Sequence, residues 1–217
     1  GQAPVDLIRT LAVFAEAPSS EHIHLWQALG IEDSPSASEY ADIFLFQLYP
    51  YASVHLGPEG MLGGEAQNRV AGFWRALGKN PPPEPDHLAA LLGLYATLSE
   101  QVRPEQKVSN ELSGFSEAEA VLITQGRDAL LQEHIAPWVP AYLERVIEIA
   151  SGPYRGWAVL LDKVLRVELV RVGHPERLPL HLRESPPLAD PQTDGADAFI
   201  SGLLAPVRAG IILTRAD

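Results

Sequence analysis

The chain of 217 residues contains no cysteine, which excludes disulfides, thiolate catalysis and cysteine-built zinc sites. No apolar run is long enough to span a bilayer, and the start lacks the basic and apolar regions of a secretory signal. Basic residues are few, 16 against 28 acidic ones, so the net charge is −12. A field of that sign repels nucleic acid and anionic membrane and attracts cationic partners. These features are compatible with a globular protein of the cytoplasm that does not insert into a membrane.

The apolar residues recur with the period of a helix along nearly the whole chain. Within residues 64–78 they stand at i, i+3, i+4 and i+7, and Gly78 follows as a good helix terminator. After Pro85 a second strong stripe follows, made of Leu88, Leu91, Leu92, Tyr95 and Leu98. We therefore predict an all-α fold, a single-domain helical bundle of about eight helices.

Polar residues before these stripes predict where several helices begin. Ser20 is expected to cap a helix that runs to Gly30, and Ser116 with Glu119 has the spacing of a capping box. Residues 40–48 are almost all apolar, which predicts a helix buried on most sides, with a strand as the competing assignment. Residues 103–114 are polar and are expected to form a loop.

Proline divides the chain near its end. We predict a helical domain over residues 1–172, a Pro-rich loop or hinge over 173–193 and a C-terminal helix over 194–217 with a kink at Pro206. The apolar pattern continues almost to Asp217. We therefore expect the natural protein to continue beyond that residue, with the last helix truncated here.

Two short segments carry the candidate site residues, and each allows two interpretations. In residues 84–88, Glu84 or Asp86 can cap the helix that follows, or Asp86 and His87 can face a groove and bind a partner. In residues 50–53, Tyr51 can be a core aromatic and Ser53 a cap, or the segment can line a concave surface.

The sequence offers no complete catalytic or metal-binding set. Asp86 and His87 are adjacent, and adjacent residues on a helix do not face each other. A catalytic Asp-His pair also needs a nucleophile, and none is evident beside them. The seven histidines lack the spacing of a metal motif, and no cofactor is implied. Trp74, Trp138 and Trp157 lie on apolar stripes and are expected to pack in the core.

Taken together, these segments resemble the TorD/DmsD/NarJ family of molybdoenzyme maturation chaperones. The resemblance runs from about residue 40 to residue 157 and is carried by five short segments. They are residues 49–56, 62–63, 73–74, 84–88 and 134–138. The Pro-Asp-His element of residues 85–87, at the end of a proline-containing linker, is the most telling of them.

The resemblance implies an all-helical, cytoplasmic and non-enzymatic chaperone. Such proteins bind the apo form of a molybdopterin oxidoreductase subunit, and many bind its twin-arginine signal peptide until the cofactor is inserted. Residues at positions implicated in peptide binding are Pro50, Tyr51, Ser53, Gly63, Asp86 and His87, with Glu84 and Leu88 as neighbours. Helix exchange through the Pro-rich linker is compatible with a homodimer.

Two other functions stay open at this point. The chain can be a helical scaffold or regulator that binds a partner helix without any link to molybdoenzymes. It can also be a hydrolase that uses Asp86, His87 and a distant serine, although nothing in the spacing requires it.

Overall fold

The computed structural model describes residues 3–31, 33–58, 60–102 and 116–210, together with Ile212 and Thr214. All regular elements in these residues are helical, which confirms the all-α prediction. In the first half they are α1 (Val5–Val13), a 3-10 turn (Ser20–His22), α2 (Ile23–Ala28), α3 (Ala37–Tyr40), a π-helical segment (Ala41–Gln47), α4 (Ala52–Leu56), α5 (Gly64–Ala76) and α6 (Leu88–Gln101). In the second half they are α7 (Glu117–Leu130), a π-helical segment (Leu131–Ile135), α8 (Val139–Ile149), α9 (Gly152–Val172), α10 (Leu180–Arg183), α11 (Ala196–Leu203) and α12 (Pro206–Ala209).

Helix α6 lies at the centre of the bundle. It packs against α1 and against α7, while α9 packs against α8 and contacts α1. Most residues of α6 are inaccessible to solvent, so the helix is apolar on nearly every side. The candidate site lies at the beginning of this rigid central helix.

Two of the three stripe tryptophans are core residues, as predicted. Trp157 is fully buried and donates its indole N–H to the Leu11 carbonyl at 2.9 Å. Trp138 is also buried and donates to the His134 carbonyl at 2.9 Å. Trp74 is only half-buried, because one side of its ring lines an open groove.

The apolar segment 40–48 is helical, but the prediction that it is buried on most sides is wrong. Ile43 and Phe44 are buried, whereas Leu45 and Phe46 are 49% and 51% exposed. The segment lies on the surface of the bundle, so one face of it meets the core and the opposite face meets solvent.

Two predicted helix starts have different outcomes. At α7 the capping box is confirmed, since the Ser116 hydroxyl accepts from the Glu119 N–H and the Glu119 carboxylate accepts from the Ser116 N–H. The prediction that Ser20 caps the second helix is wrong, since Ser20 lies in the 3-10 turn before α2. Ser19 caps that turn, and the N-cap of α2 is His22, whose side chain makes no cap hydrogen bond. The predicted loop over 103–114 lies outside the described residues.

The Pro-rich segment 173–193 contains a short helix, α10, that is fastened to the bundle. Glu133 accepts hydrogen bonds from the Leu180 N–H at 2.6 Å and from the Arg183 guanidinium at 3.1 Å. Arg69 of α5 forms an ion pair with Glu184 at 3.1 Å. The role of the Pro-rich segment 173–193 as a hinge stays a prediction.

Two helices, α11 and α12, occupy the described part of the region predicted as one C-terminal helix. Leu204 and Ala205, between the two helices, belong to neither of them, in agreement with the tendency of proline to disfavour helical geometry in the residue that precedes it. Residues 211, 213 and 215–217 lie outside the described part. None of the helices in the described residues has the length and apolar character needed to cross a membrane.

A buried carboxylate of α9 ties the central helix to the start of the chain. Glu168 of α9 is inaccessible and accepts from the Ala3 N–H at 2.6 Å, the Tyr95 hydroxyl at 2.6 Å and the Arg171 guanidinium at 2.9 Å. Burial and this hydrogen bond raise the pKa of Tyr95, so it remains a donor at neutral pH. Such a network is stable only while each member keeps its partners.

We expect Glu168→Ala to lower the free energy of unfolding by about 3–5 kcal/mol, because Arg171 and Tyr95 lose the acceptor that compensates their burial. Urea titration followed by circular dichroism measures the change. Lys163→Ala, at an exposed position of the same helix, is the control and should leave the midpoint nearly unchanged. Equal midpoints for the two variants would contradict a structural role for Glu168.

Acid should destabilise the fold through His134, which packs beside Phe73 and is 5% exposed. Burial, assisted by Arg69 and opposed by Glu133, lowers its pKa to about 4. The unfolded chain, with a histidine pKa of about 6.5, binds the proton more readily than the folded chain. The contribution of the neutral His134 to the free energy of unfolding is therefore complete above about pH 6.5. Roughly 3 kcal/mol of this contribution is lost as the pH falls to 4.

Urea titrations between pH 7 and pH 4 test this pH dependence. His134→Gln should flatten the dependence relative to the unaltered protein, while His24→Gln, at an exposed position, should reproduce the unaltered curve. If the stability of His134→Gln fell with pH as steeply as that of the unaltered protein, the assignment of the acid destabilisation to His134 would be contradicted.

Candidate functional site

Two loops that are 33 residues apart in sequence are joined at the start of α6. The Leu88 N–H donates to the Pro50 carbonyl at 2.8 Å, and the Ala52 N–H donates to the Asp86 carbonyl at 3.0 Å. Tyr51 and His87 therefore face each other across an isolated antiparallel bridge. Their rings meet edge to face with centroids 4.8 Å apart, a favourable geometry for aromatic rings.

Asp86 completes this junction from inside the protein. Its side chain is fully buried, and Oδ2 accepts from the Ser53 N–H at 2.9 Å. Ser53 is the second residue of α4, so the carboxylate satisfies a free N–H of a helix start and places negative charge there. The Ser53 hydroxyl in turn accepts from the Gly63 N–H at 3.1 Å, where a φ of 87° favours glycine.

The hypothesis that Glu84 or Asp86 caps the helix after Pro85 is wrong. That helix, α6, is capped by His87, whose Nδ1 accepts from the Ala89 N–H at 3.0 Å. Asp86 does cap a helix, but it is α4, which lies earlier in the chain. Glu84 is exposed and accepts from the Tyr51 hydroxyl at 3.0 Å.

An open groove of about 850 Å³ lies directly beside the junction. Its walls are aromatic and proline-rich, its floor is the beginning of α6, and its charged groups are two carboxylates and one ammonium. The lining residues are Glu16, Ala17, Tyr40, Tyr51, Trp74, Lys79, Pro82, Pro83, Glu84, His87, Ala89, Ala90, Gly93, Leu94 and Thr97. A groove of this size and character accommodates a segment of polypeptide or an apolar ligand.

Hydrogen bonds hold the aromatic walls in place. Trp74 donates its indole N–H to the Pro85 carbonyl at 3.1 Å, which fixes α5 to the loop before α6. Tyr51 is held between its hydrogen bond to Glu84 and the ring of His87. The walls are therefore formed before any ligand binds, which reduces the entropy cost of binding.

The electrostatics of the groove are set by carboxylates beside neutral rings. Burial and the nearby Glu84 raise the pKa of Tyr51, so its hydroxyl stays protonated and donates. Burial lowers the pKa of His87, although Glu84, Glu16 and Asp86 act in the opposite direction. A neutral His87 adds no positive charge, so among the described residues that line the groove a cationic ligand meets two carboxylates and one opposing ammonium, that of Lys79.

The predicted site residues fall into two groups. Tyr51, Glu84 and His87 line the groove. The others build the junction beneath it and are buried or partly buried: Pro50, Ser53, Gly63, Asp86 and Leu88.

Among the groove residues that sequence reasoning missed, those with a charged or aromatic side chain are Glu16, Tyr40, Trp74 and Lys79. Trp74 has a signal in the sequence, since it is followed by the glycine and prolines that end its helix and turn the chain. Glu16 has no such signal, because the packing of α1 on α6 brings it to the groove.

The junction lacks the geometry of a hydrolase. Asp86 bonds to a backbone N–H rather than to His87, and His87 Nδ1 is occupied by the Ala89 N–H. A nucleophilic triad needs a serine, a histidine and a carboxylate bonded in series. Among the described residues, no group of three or more His, Asp or Glu side chains is arranged to hold a metal ion.

The fold and the groove thus define an all-helical protein with a preformed, aromatic-walled hollow bordered by carboxylates. The family described as nitrate reductase delta subunit matches residues 21–144, which include the junction and most of the groove residues. Because more than half of the chain is matched, the protein belongs to this family, the TorD/NarJ-like group that the sequence resembles.

Two curated relatives carry the name Chaperone protein TorD, from Vibrio vulnificus strains YJ016 and CMCP6. They are 30% and 29% identical to this chain over 135 residues. The alignment covers 58% of this chain and 58% of each relative, so the chain matches somewhat more than half of their length.

We expect Asp86→Ala to lower the free energy of unfolding by about 1–3 kcal/mol, because the buried Ser53 N–H loses its acceptor. Asp86→Asn retains an acceptor oxygen and should lose less. Chemical denaturation measures both changes, and Asp190→Ala, on the surface of the Pro-rich segment, serves as control. Unchanged stability of Asp86→Ala would contradict the capping role.

Proposed function

We propose that this protein is a cytoplasmic, non-enzymatic chaperone for the maturation of a molybdoenzyme. Membership of the TorD/NarJ-like family and the TorD relatives support this proposal. The client is the apo form of a molybdopterin oxidoreductase subunit. The chaperone binds the subunit or its twin-arginine signal peptide, assists cofactor insertion and delays export until insertion is complete.

The observation that carries this proposal is the groove beside the Tyr51–His87 bridge. A twin-arginine leader has a cationic start and an apolar centre, and its receptor needs carboxylates next to an apolar cleft. Glu16 and Glu84 supply the carboxylates, and the rings of Tyr40, Tyr51 and Trp74 supply apolar surface that also attracts guanidinium groups.

The fixed position of Glu84 favours arginine over lysine. The Tyr51 hydroxyl holds Glu84 Oε1 and thereby limits rotation of the carboxylate. A planar guanidinium benefits from an oriented carboxylate, because it donates two parallel hydrogen bonds, whereas an ammonium acts as a point charge. We therefore assign Tyr51 and Glu84 to the recognition of the arginine side chains.

The role of the buried predicted residues differs from that of the groove residues. Ser53, Asp86 and Leu88 do not reach the groove, so in this proposal they hold its walls in position. Direct contact with the peptide falls to Tyr51, Glu84 and His87, together with Glu16, Tyr40 and Trp74.

We expect Glu84→Gln to raise the Kd for a leader peptide about tenfold, because one charged acceptor of the arginines is lost. The probe is a synthetic peptide with two consecutive arginines before an apolar stretch, and isothermal titration measures the Kd. Tyr51→Phe should weaken binding less than Glu84→Gln does. It should also reduce the ratio between the affinities for the twin-arginine peptide and for a twin-lysine version of it.

A matched control separates this contact from the overall charge of the protein. Glu176→Gln changes the net charge by the same amount at an exposed position that does not line the groove. It should leave the Kd unchanged. Equal losses for Glu84→Gln and Glu176→Gln would indicate general electrostatic attraction and would contradict the groove as the binding site.

A general helical scaffold is the second candidate, because the same apolar cleft can hold a partner helix of another kind. The twin-arginine probe separates the two functions. A scaffold without a molybdoenzyme client has no reason to prefer two arginines over two glutamines, whereas a leader-binding chaperone loses affinity when both arginines are replaced.

A further inference from the structure

Helix α9 (Gly152–Val172) has an exposed face of unusual composition. Its buried residues point to the core on one side. Apart from Gly152 at its N-terminus, the exposed residues of α9 are three cations and two valines, without a carboxylate: Arg155, Lys163, Arg166, Val167 and Val170. We call these five residues the α9 stripe.

Helical geometry gathers the stripe on one side of the helix. At 3.6 residues per turn the five positions fall within a sector of about 120°, and they extend over about 22 Å of helix. The cations are dispersed in the sequence, which is why no basic cluster is evident there. In a chain with a net charge of −12, the exposed side chains of this helix face are cationic or apolar, and the partly buried Asp162 carboxylate, which pairs with Arg166, lies at its edge.

The apolar part of the stripe stands between two hollows. Val170 is 84% exposed and lines both of them, and Val167 is 45% exposed. One hollow, of about 380 Å³, is lined by Arg166, Val167, Val170 and Arg171. The other, of about 530 Å³, is mainly apolar and lies beneath the Pro-rich segment: Gln132, Ala136, Pro137, Leu169, Val170, Gly173, His174, Pro175 and Pro179.

The cations of the stripe are incompletely neutralised by the protein itself. Arg166 pairs with Asp162 at 2.7 Å and lies 3.7 Å from Glu144 of α8. Arg155 and Lys163 form no ion pair with any described residue. A carboxylate of a partner can therefore pair with Arg155 or Lys163, whereas Arg166 is already paired with Asp162.

We propose that the α9 stripe is a docking surface for an acidic amphipathic helix of a partner protein. Leucine-like side chains of that helix enter the hollows on either side of Val170, and its carboxylates meet Arg155, Lys163 and Arg166. Charge complementarity identifies this occupant, because the stripe carries cations at positions 155–166 and exposed apolar side chains at positions 167–170, directly after them. The surface is separate from the groove, which has the opposite charge and shares no lining residue with it.

The test uses a fluorescent acidic peptide of four helical turns, with leucines on one face and glutamates beside them. Fluorescence anisotropy should show binding to the unaltered protein, and Lys163→Glu/Val170→Glu should weaken it about tenfold or more. Val121→Glu, at an exposed valine on α7, is the control for the valine-to-glutamate change and should bind as the unaltered protein does. Circular dichroism checks that each variant keeps its helical content.

Three further probes separate the alternatives. A peptide with lysine in place of glutamate tests the sign of charge, a scrambled peptide tests the apolar face, and both should bind at least about tenfold more weakly. Equal binding of either probe, or of the acidic peptide to the stripe variant, would overturn the proposal. Anionic vesicles that bind the unaltered protein but not the stripe variant would also overturn it, in favour of a membrane surface.

The outcome is independent of the groove and its leader peptide. The stripe variant should bind the twin-arginine probe with unchanged affinity, and Glu84→Gln should bind the acidic peptide with unchanged affinity. If only the acidic peptide does not bind, the docking proposal for the α9 stripe is contradicted. If only the leader peptide does not bind, the proposed function is contradicted.

Discussion

The groove depends on one buried contact, in which the Asp86 carboxylate accepts a hydrogen bond from the Ser53 N–H. An unpaired backbone N–H at this depth is unfavourable, and a buried carboxylate without a donor is more so. The two groups therefore hold each other and bring together loops that are far apart in sequence. Together with the two backbone hydrogen bonds of the junction, this contact fixes the Tyr51–His87 bridge, beside which Tyr51 holds Glu84.

Binding and structural roles are consequently divided between neighbouring residues. Asp86 and His87 are adjacent in the chain, yet Asp86 points into the protein and His87 borders the groove. The change of direction occurs where the chain passes from the turn at Asp86 through the extended backbone of His87, opposite the extended Tyr51, into α6. A short segment can thus contribute both to the stability of the protein and to its surface chemistry.

Local signals in the sequence predicted much of the fold but only part of the site. The periodicity of α5 and α6 and the capping box at Ser116 concern residues within a few positions of one another, and the structure confirms them. The partner of Asp86 lies 33 residues away, so the sequence indicated a helix cap but the wrong helix. Glu16 reaches the groove only through the packing of α1 on α6, and no local pattern contains that information.

The position of Trp74 gives the groove its own optical probe. The chain has four tryptophans, and Trp26, Trp138 and Trp157 are each at most 2% exposed, whereas Trp74 lines the groove. Indole emission depends on the polarity around the ring, so solvent-sensitive fluorescence of this protein comes chiefly from Trp74. A ligand that displaces water from the groove would therefore shift the tryptophan emission to shorter wavelength and reduce its quenching by acrylamide, without any attached dye.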